Sequence, residues 1–315
     1  MSTVTDVTAF DEQLYRELAV KAKKYYAEMN LTTRIPAAIT SKLDAHEYVK
    51  GIFDYTQGIK GYDNYSTMPD QAITPRDKRT YELKPIQMAI SYSPEDKLML
   101  ADKLVQDKQE KMREFARQID LSVWKGVYTG GFGSDGHGDG FQMVDGVLDQ
   151  AGAVVDLDGA DSALAAQGDV FKALVKMVES IPFRYRANTE VTIGMTSHFY
   201  GMANSSLFTF DNGATEWEQF FDKYITKGVK GFKVSRDVIV SDDAFLDSTD
   251  TLNTNDRLFA MIPESGIIER AYSRGISMMG EIPNLIGGIN QGWGCKLRGC
   301  VHDSNAVLYS DQITW

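Results

Sequence analysis

Between Pro94 and Gly126 the chain contains neither proline nor glycine, and that stretch constrains the fold more than any other. Ser93-Pro94-Glu95-Asp96 supplies an N-cap, a proline suited to the first helical position and two acids facing the positive end of the helix dipole. Ala101, Val105, Met112, Phe115, Ile119 and Val123 recur at steps of three, four or seven and form one apolar stripe. Asp102, Lys103, Asp107, Lys108, Glu110, Lys111, Arg113 and Glu114 are assigned to the other faces. At about 1.5 Å per residue, a helix from Pro94 to Lys125 spans roughly 48 Å, more than the diameter of a small domain. A helix of that length with a single stripe needs an extended surface along its side. The long core helix of an ordinary α+β enzyme also meets this description, so the helix alone leaves the class of protein open.

Composition narrows the choice. A chain of 315 residues with 43% hydrophobic and 24% charged residues can bury one large core or two smaller ones. A net charge of −11 repels nucleic acid phosphates and anionic membrane surfaces, which argues against a protein whose task is to grip DNA. Two cysteines cannot make a disulfide framework, so a reducing compartment is expected. Residues 1–10 lack the apolar core of a signal peptide, and no window approaches 18 consecutive apolar residues. The expectation is a cytoplasmically made protein with no membrane partner.

Before the long helix, Thr8-Ala9-Phe10-Asp11 opens a helix that runs to about Met29. Leu31 to Tyr92 is unusual for a core, with Pro36, Pro69, Pro75 and Pro85 among scattered glycine and aspartate. Strand-like pieces, Tyr48 to Tyr55 and Arg79 to Tyr92, flank a polar tip, so the segment reads as two β strands leading out and back. So long an excursion needs a binding partner if it is to be ordered, and Tyr55, Tyr62 and Tyr65 suit an interface. After the helix, residues 130–140 form a glycine-rich surface loop. Asp169 then caps a helix bearing Val170, Leu174, Met177, Val178 and Ile181, which Pro182 stops. A strand follows at Val191 to Met195, a short helix capped by Thr196 or Ser197, and a capping box, Thr215-Glu216-Trp217-Glu218, opening a helix that ends at Gly228. The remainder is mainly β, with strands at Phe232 to Val240, Leu258 to Ile262, Ile267 to Tyr272, Ile276 to Glu281, Cys295 to His302 and Ala306 to Tyr309.

No motif makes a convincing active site. Gly131, Gly133 and Gly136 match a dinucleotide fingerprint, but a helix precedes them where a strand is required. Asp135, His137 and Asp139 are weak candidates for an incidental cation. Cys295, Cys300 and His302 lack the spacing and second pair of a zinc site; on a strand the two thiols face opposite ways and read as buried. His46, His137, His198 and His302 are scattered, and no cofactor, metal or catalytic residue is assigned.

The order of segments resembles the major capsid proteins of tailed double-stranded DNA viruses, the Hong Kong 97-type shell fold that encapsulin compartments share. Phe115 to Asp120 with Gly126 and Gly130 is similar to the end of that family's spine helix. Asp145-Gly146-Val147-Leu148 with the following helix resembles its peripheral domain, and Gly231-Phe232-Lys233-Val234 into Val238-Ile239-Val240 its axial strands. Asn305-Ala306-Val307-Leu308-Tyr309 resembles the return to the peripheral domain.

The resemblance implies an α+β fold with five parts: an N-terminal arm (1–35), an extended E-loop with flanking strands (36–92), a peripheral domain with the spine helix (93–195), an axial domain (196–290) and a return segment (291–315). It implies a non-enzymatic subunit that assembles with itself into the hexamers and pentamers of an icosahedral virion capsid, formed in the host cytoplasm around double-stranded DNA that it does not read. Tyr55, Lys60, Tyr62, Tyr65, Arg76, Asp77, Lys78 and Arg79 would contact a neighbouring subunit. With no room for a fused scaffolding segment, a separate scaffold protein is expected, together with a portal and optionally a decoration protein. Lys60, Lys78 and Lys84 have no matching partner for a cross-link, so none is expected. An encapsulin-like compartment with protein cargo stands as the alternative; a soluble metal-binding enzyme using residues 130–140 is the third.

Overall fold

The computed structural model describes residues 34–40, 44–51, 76–93, 101–152, 154–157, 164, 168–186, 189–205, 213–229, 231, 233–246, 256–283, 288–311 and 313. The helix expected from Thr8 to Met29, the tip of the excursion and the first turns of the long helix lie outside them. In chain order the described elements begin with β1 (Ala37–Ile39), β2 (Ala45–Gly51), β3 (Arg76–Glu82) and β4 (Lys84–Tyr92), followed by the long helix α1 (Ala101–Lys125). Next come β5 (Val127–Tyr128), β6 (Gln142–Val144), α2 (Val147–Gln150), β7 (Val154–Val155), α3 (Asp169–Ser180), α4 (Phe183–Arg186) and β8 (Thr192–Met195). The last part holds α5 (Ser197–Ala203), α6 (Glu216–Phe220, continued by a π turn Phe221–Thr226), β9 (Ile239–Val240), α7 (Asp242–Phe245), β10 (Leu258–Met261), β11 (Ile268–Pro283), β12 (Ile289–Val301) and β13 (Val307–Ser310).

Two sheets carry the core. One has the order β1-β11-β12-β4, antiparallel except for the β1–β11 pair. The other has the order β7-β13-β10-β8-β9, with β10 at its centre buried along its whole length. Helix α1 lies against β4 and β12. Met112, Phe115, Ile119 and Val123 of the expected stripe are all buried. Trp124, fully buried at the end of the helix, meets Phe245 and Phe259 edge-on at 5.5 and 5.0 Å and so ties α1 to the second sheet.

Lys108 corrects the polar-face assignment. It lies three residues after Val105 and four before Met112, which puts it on the stripe, and its side chain is only 1% exposed. Its ammonium sits 5.0 Å from the centroid of the buried Tyr92 ring, a cation–π contact that gains strength away from water.

Other local readings change in detail. Ile267 to Tyr272 and Ile276 to Glu281, expected as two strands, form the single strand β11, with register shifts against β12 between Tyr272 and Ser277 that absorb the interruption. The strand expected from Phe232 to Val240 is reduced to β9 and a Val191–Val234 bridge. Asp169 is the first residue of α3 rather than its cap. Gly168 holds the cap position at φ 89°, and the fully buried Glu216 carboxylate accepts the backbone N–H groups of Gly168 and Phe171. The Thr215–Glu218 capping box forms as expected, with reciprocal bonds of 3.2 and 2.9 Å. At α5 the Thr196 side chain makes no capping bond; the Asp242 carboxylate accepts the Ser197 N–H at 2.7 Å instead.

Helix α1 can approach the first sheet closely because residue 299 of β12 has no side chain. A Cβ placed there would lie 2.4 Å from the Val123 carbonyl oxygen and 2.6 Å from Val147 Cγ2, both well inside van der Waals contact. Gly299→Ala should therefore destabilise the subunit by about 1–3 kcal/mol, the usual cost of overpacking a filled core. Chemical denaturation of the variant alongside the parent protein checks this, and an unchanged midpoint would show that the helix can lift without cost.

Candidate functional site: the base of the β2–β3 ribbon

The excursion expected from the sequence is present at its base with other bounds: the strand expected from Arg79 to Tyr92 divides at Leu83 into β3 and β4, which belong to different sheets, and positions 52–55 of the first strand lie outside the described residues. β2 and β3 pair antiparallel from Ala45–Glu82 at the base to Gly51–Arg76 at the outer end. A two-stranded pair is marginal by itself, so what holds its base decides whether it projects in a fixed direction. The pairing sets His46 opposite Tyr81 and Tyr48 opposite Arg79, and with a period of two these four share a face.

That face meets the body at His302, which directly follows β12. The Tyr48 ring stacks on the His302 ring, with centroids 3.6 Å apart and planes 13° apart. The Tyr48 hydroxyl donates to the Gly266 carbonyl at 3.3 Å. Tyr81 is buried and donates its hydroxyl proton to the Val301 carbonyl at 2.8 Å, while its oxygen lies 3.2 Å from His302 Nδ1. Nε2 of His46 and Nε2 of His302 each lie 3.2 Å from the same oxygen, Oε2 of Glu269 on β11. Around this polar group, Tyr81, Leu83, Ala271 and Cys300 form a small apolar cluster separate from the main core, with Tyr48 packed on it.

Burial pulls the His302 imidazole below its ordinary pKa, against the opposing pull of the Glu269 carboxylate. Burial also raises both tyrosines, Tyr48 and Tyr81, so the two phenols keep their protons. The arrangement offers no activated nucleophile. It is a latch joining the ribbon to β11 and β12 through hydrogen bonds and ring stacking.

Of the residues expected to touch a neighbour, Tyr55, Lys60, Tyr62 and Tyr65 lie outside the described residues. Arg76, Asp77, Lys78 and Arg79 form the first four positions of β3, and Arg79 also donates to the His302 carbonyl at 3.5 Å. The cation candidates Asp135, His137 and Asp139 do not converge. Asp135 instead accepts the His137 backbone N–H at 3.2 Å, which holds its carboxyl below the usual range. Among the described residues, His46, Glu269 and His302 are the one group of three whose ligand atoms all lie within 4.8 Å of one another. Sequence reasoning singled out His302 alone. His46 and Glu269 are separated by 223 positions, and no local pattern joins them.

The glycine-rich loop is held more firmly than its composition suggests. Gln118 of α1 bonds both the N–H and the carbonyl of Phe132 at 2.7 Å. Arg117 donates to the Gly133 carbonyl at 2.9 Å and to Asp243 on α7 at 2.7 Å, and Lys125 donates to Gly136 at 3.0 Å. The loop is thus a packed cover over the end of α1.

No protein-family model matches the chain, and no curated protein matches it. Solved structures do. The capsid of Myoviridae phage XM1 is similar over 89% of this chain and 91% of its own, at 14% identity and a TM-score of 0.59. The capsid of the native GTA particle covers 91% of each chain at 13% identity and a TM-score of 0.57. A virus-like particle from Pyrococcus furiosus covers 92% of this chain and 98% of its own, at 8% identity and a TM-score of 0.53. The fold is therefore the α+β Hong Kong 97-type capsid fold.

Cys295 belongs to the main core and Cys300 to the small cluster at the ribbon base, as expected for side chains on opposite faces of β12. Burial pushes both thiols up to about 12. At pH 8 only about one such thiol in ten thousand is ionised, so iodoacetamide should modify neither in the native protein and both after denaturation. Mass spectrometry of the two samples reads the count, and rapid native alkylation would show that one of these faces opens.

Proposed function

We propose that this chain is the structural subunit of an icosahedral virion capsid, self-assembling into hexamers and pentamers around double-stranded DNA and catalysing no reaction. The observation that carries the reading is likeness to capsid subunits along nearly the whole of both chains, with the projecting ribbon as its physical counterpart. A two-stranded ribbon held to its own body at the base has its outer part to offer a neighbour. Exposed apolar side chains point the same way: Ile39 on the edge strand β1 is 90% exposed, and Ile282 and Phe141 are also exposed. Single exposed apolar residues are ordinary, but one on an open sheet edge favours pairing with another chain.

In this reading residues 1–35 form an arm, 36–92 the E-loop and its flanking strands, 93–195 the peripheral domain, 196–290 the axial domain and 291–315 the return. Tyr55, Lys60, Tyr62, Tyr65, Arg76, Asp77, Lys78 and Arg79 form the contact to the next subunit. The net charge of −11 suits a wall that must not adhere to packaged DNA. A separate scaffold protein, a portal and a decoration protein are the further partners, and assembly takes place in the host cytoplasm. The second reading, an encapsulin-like compartment with protein cargo, draws on the likeness to the Pyrococcus furiosus particle.

Electron microscopy of the purified protein should show closed shells, and nuclease-protected double-stranded DNA inside them decides for the first reading over the second. A stable monomer at high concentration would refute both. The register gives a sharper variant. Gly51 pairs with Arg76, so residues 52–75 can be replaced by a two-residue Asn-Gly turn without disturbing the ladder. The shortened subunit should fold with an unchanged circular dichroism spectrum and fail to close shells. Normal particles from it would mean that the outer ribbon is not an intersubunit clamp.

A further inference from the structure

The tautomer of His302 decides what its contact with Glu269 is. The Tyr81 hydroxyl has a single proton, which it gives to the Val301 carbonyl at 2.8 Å, and its oxygen is free to accept from His302 Nδ1–H at 3.2 Å. In that tautomer the neutral ring turns the lone pair of Nε2 toward Glu269 Oε2 at 3.2 Å; in the other, Nε2–H donates to the carboxylate. His46 Nε2 reaches the same oxygen at 3.2 Å from the other side. Opposed lone pairs of this kind are relieved by a cation between them.

The geometry favours a metal ion. Zinc ligands at about 2.0–2.1 Å on a tetrahedron lie about 3.3–3.4 Å apart, close to both nitrogen-to-oxygen separations here. Two imidazoles and one carboxylate are a common donor set for zinc-class ions. Tyr81 supplies the outer partner that fixes a ligating histidine's tautomer and ring orientation. The His302 side chain is fully buried and those of His46 and Glu269 are each 12% exposed, so the site is largely dry with a narrow opening for entry. Two further charges border it, Arg79 against the His302 carbonyl and Asp303 next in the chain, and their signs are opposite.

We propose that His46, Glu269 and His302 bind one zinc-class divalent cation, which locks β2 of the ribbon to β11 and to the end of β12. The three ligands come from three separate segments, so the ion acts as a cross-link between ribbon and body. Binding is a property of the folded subunit and does not require that it form a shell.

The test uses full-length, untagged protein stripped with a chelator. Cobalt(II) titration should give one ion per chain with the intensified visible absorption of a tetrahedral site, and zinc should displace it. His46→Gln should weaken binding at least about a hundredfold, and Tyr81→Phe about 10- to 100-fold with its visible spectrum altered, because it frees the His302 tautomer. His137→Gln, in the glycine loop, should bind as the parent does. Zinc should also slow hydrogen exchange of the β2–β3 amides in the parent protein. Absence of stoichiometric binding by the parent, or full-strength binding by His46→Gln, would overturn the proposal. Glu269→Gln serves as a second variant, and should it fail to fold, His46→Gln on the partly exposed strand carries the decision. Particle formation is scored separately, so failure to bind metal and failure to form shells remain distinct results.

Discussion

A ribbon of two strands has no interior, and everything that gives this one a direction must come from its base. The connection there is short. β3 ends at Glu82 and β4 begins at Lys84, so the single buried residue Leu83 is the corner at which one strand leaves the ribbon and enters the main sheet. The Leu83 N–H still bonds Asp44 on the β2 side at 2.9 Å, which continues the ribbon ladder into the corner. β4 then runs along β12 for nine residues with α1 across it. Load on the ribbon therefore passes into a strand held by both a sheet partner and the longest helix, with no loop in between to absorb it. The latch of Tyr48, Tyr81, His46, Glu269 and His302 sits beside this corner and sets the angle at which the ribbon leaves.

The C-terminal end of α1 shows the same preference for fixed joints. Gly126 takes φ 89° and ends the helix, and the chain turns back at once into β5. Arg117, Gln118 and Lys125 each bond the glycine-rich loop, and Arg117 and Lys125 also reach Asp243 and the Leu246 carbonyl at the edge of the second sheet. Each bond contributes only about 1 kcal/mol net, more where a charge is involved, but together they orient the helix end against both sheets. The last turns of the helix thus lie between β12 near the ribbon corner and the second sheet, whereas Lys108, earlier in the helix, meets the far end of β4 at Tyr92.

The sequence made the long helix legible and left the latch hidden, for a physical reason. Periodicity reports which face of an element is apolar, so the stripe of α1, the burial of Cys295 and Cys300 and the out-and-back ribbon could all be read directly. Where a polar residue is satisfied by a distant segment, periodicity misleads. Lys108 reads as a residue of the other faces because it is charged, whereas Tyr92 supplies the ring that lets it be buried. Glu216 read only as part of a capping box, yet its carboxylate closes the start of α3, 45 positions away from Phe171. His46, Glu269 and His302 meet through the register of β2 with β3 and of β11 with β12, which no local pattern encodes. The tip residues expected to touch a neighbour stand as expectations, since only the inner part of the ribbon is described.

Charge distribution gives the proposed self-association a direction. The protein as a whole carries −11, so two bodies brought face to face repel at long range. The segment that carries the ribbon differs: residues 45–82 hold six acids against five bases, so nearly all of the net charge lies in the rest of the chain. A segment close to neutral is repelled by another copy's acidic body less than a second body is. Such a difference governs approach and orientation more than final affinity, because exposed charges count for little once screened by salt. In the proposed shell a ribbon-to-body contact would be heterologous, each copy giving one surface and receiving on another, and contacts of that type generate rings when the rotation between copies closes. A rigid ribbon base would fix that rotation, so under this proposal the latch geometry bears on the angle between successive subunits, on which closure of a ring depends.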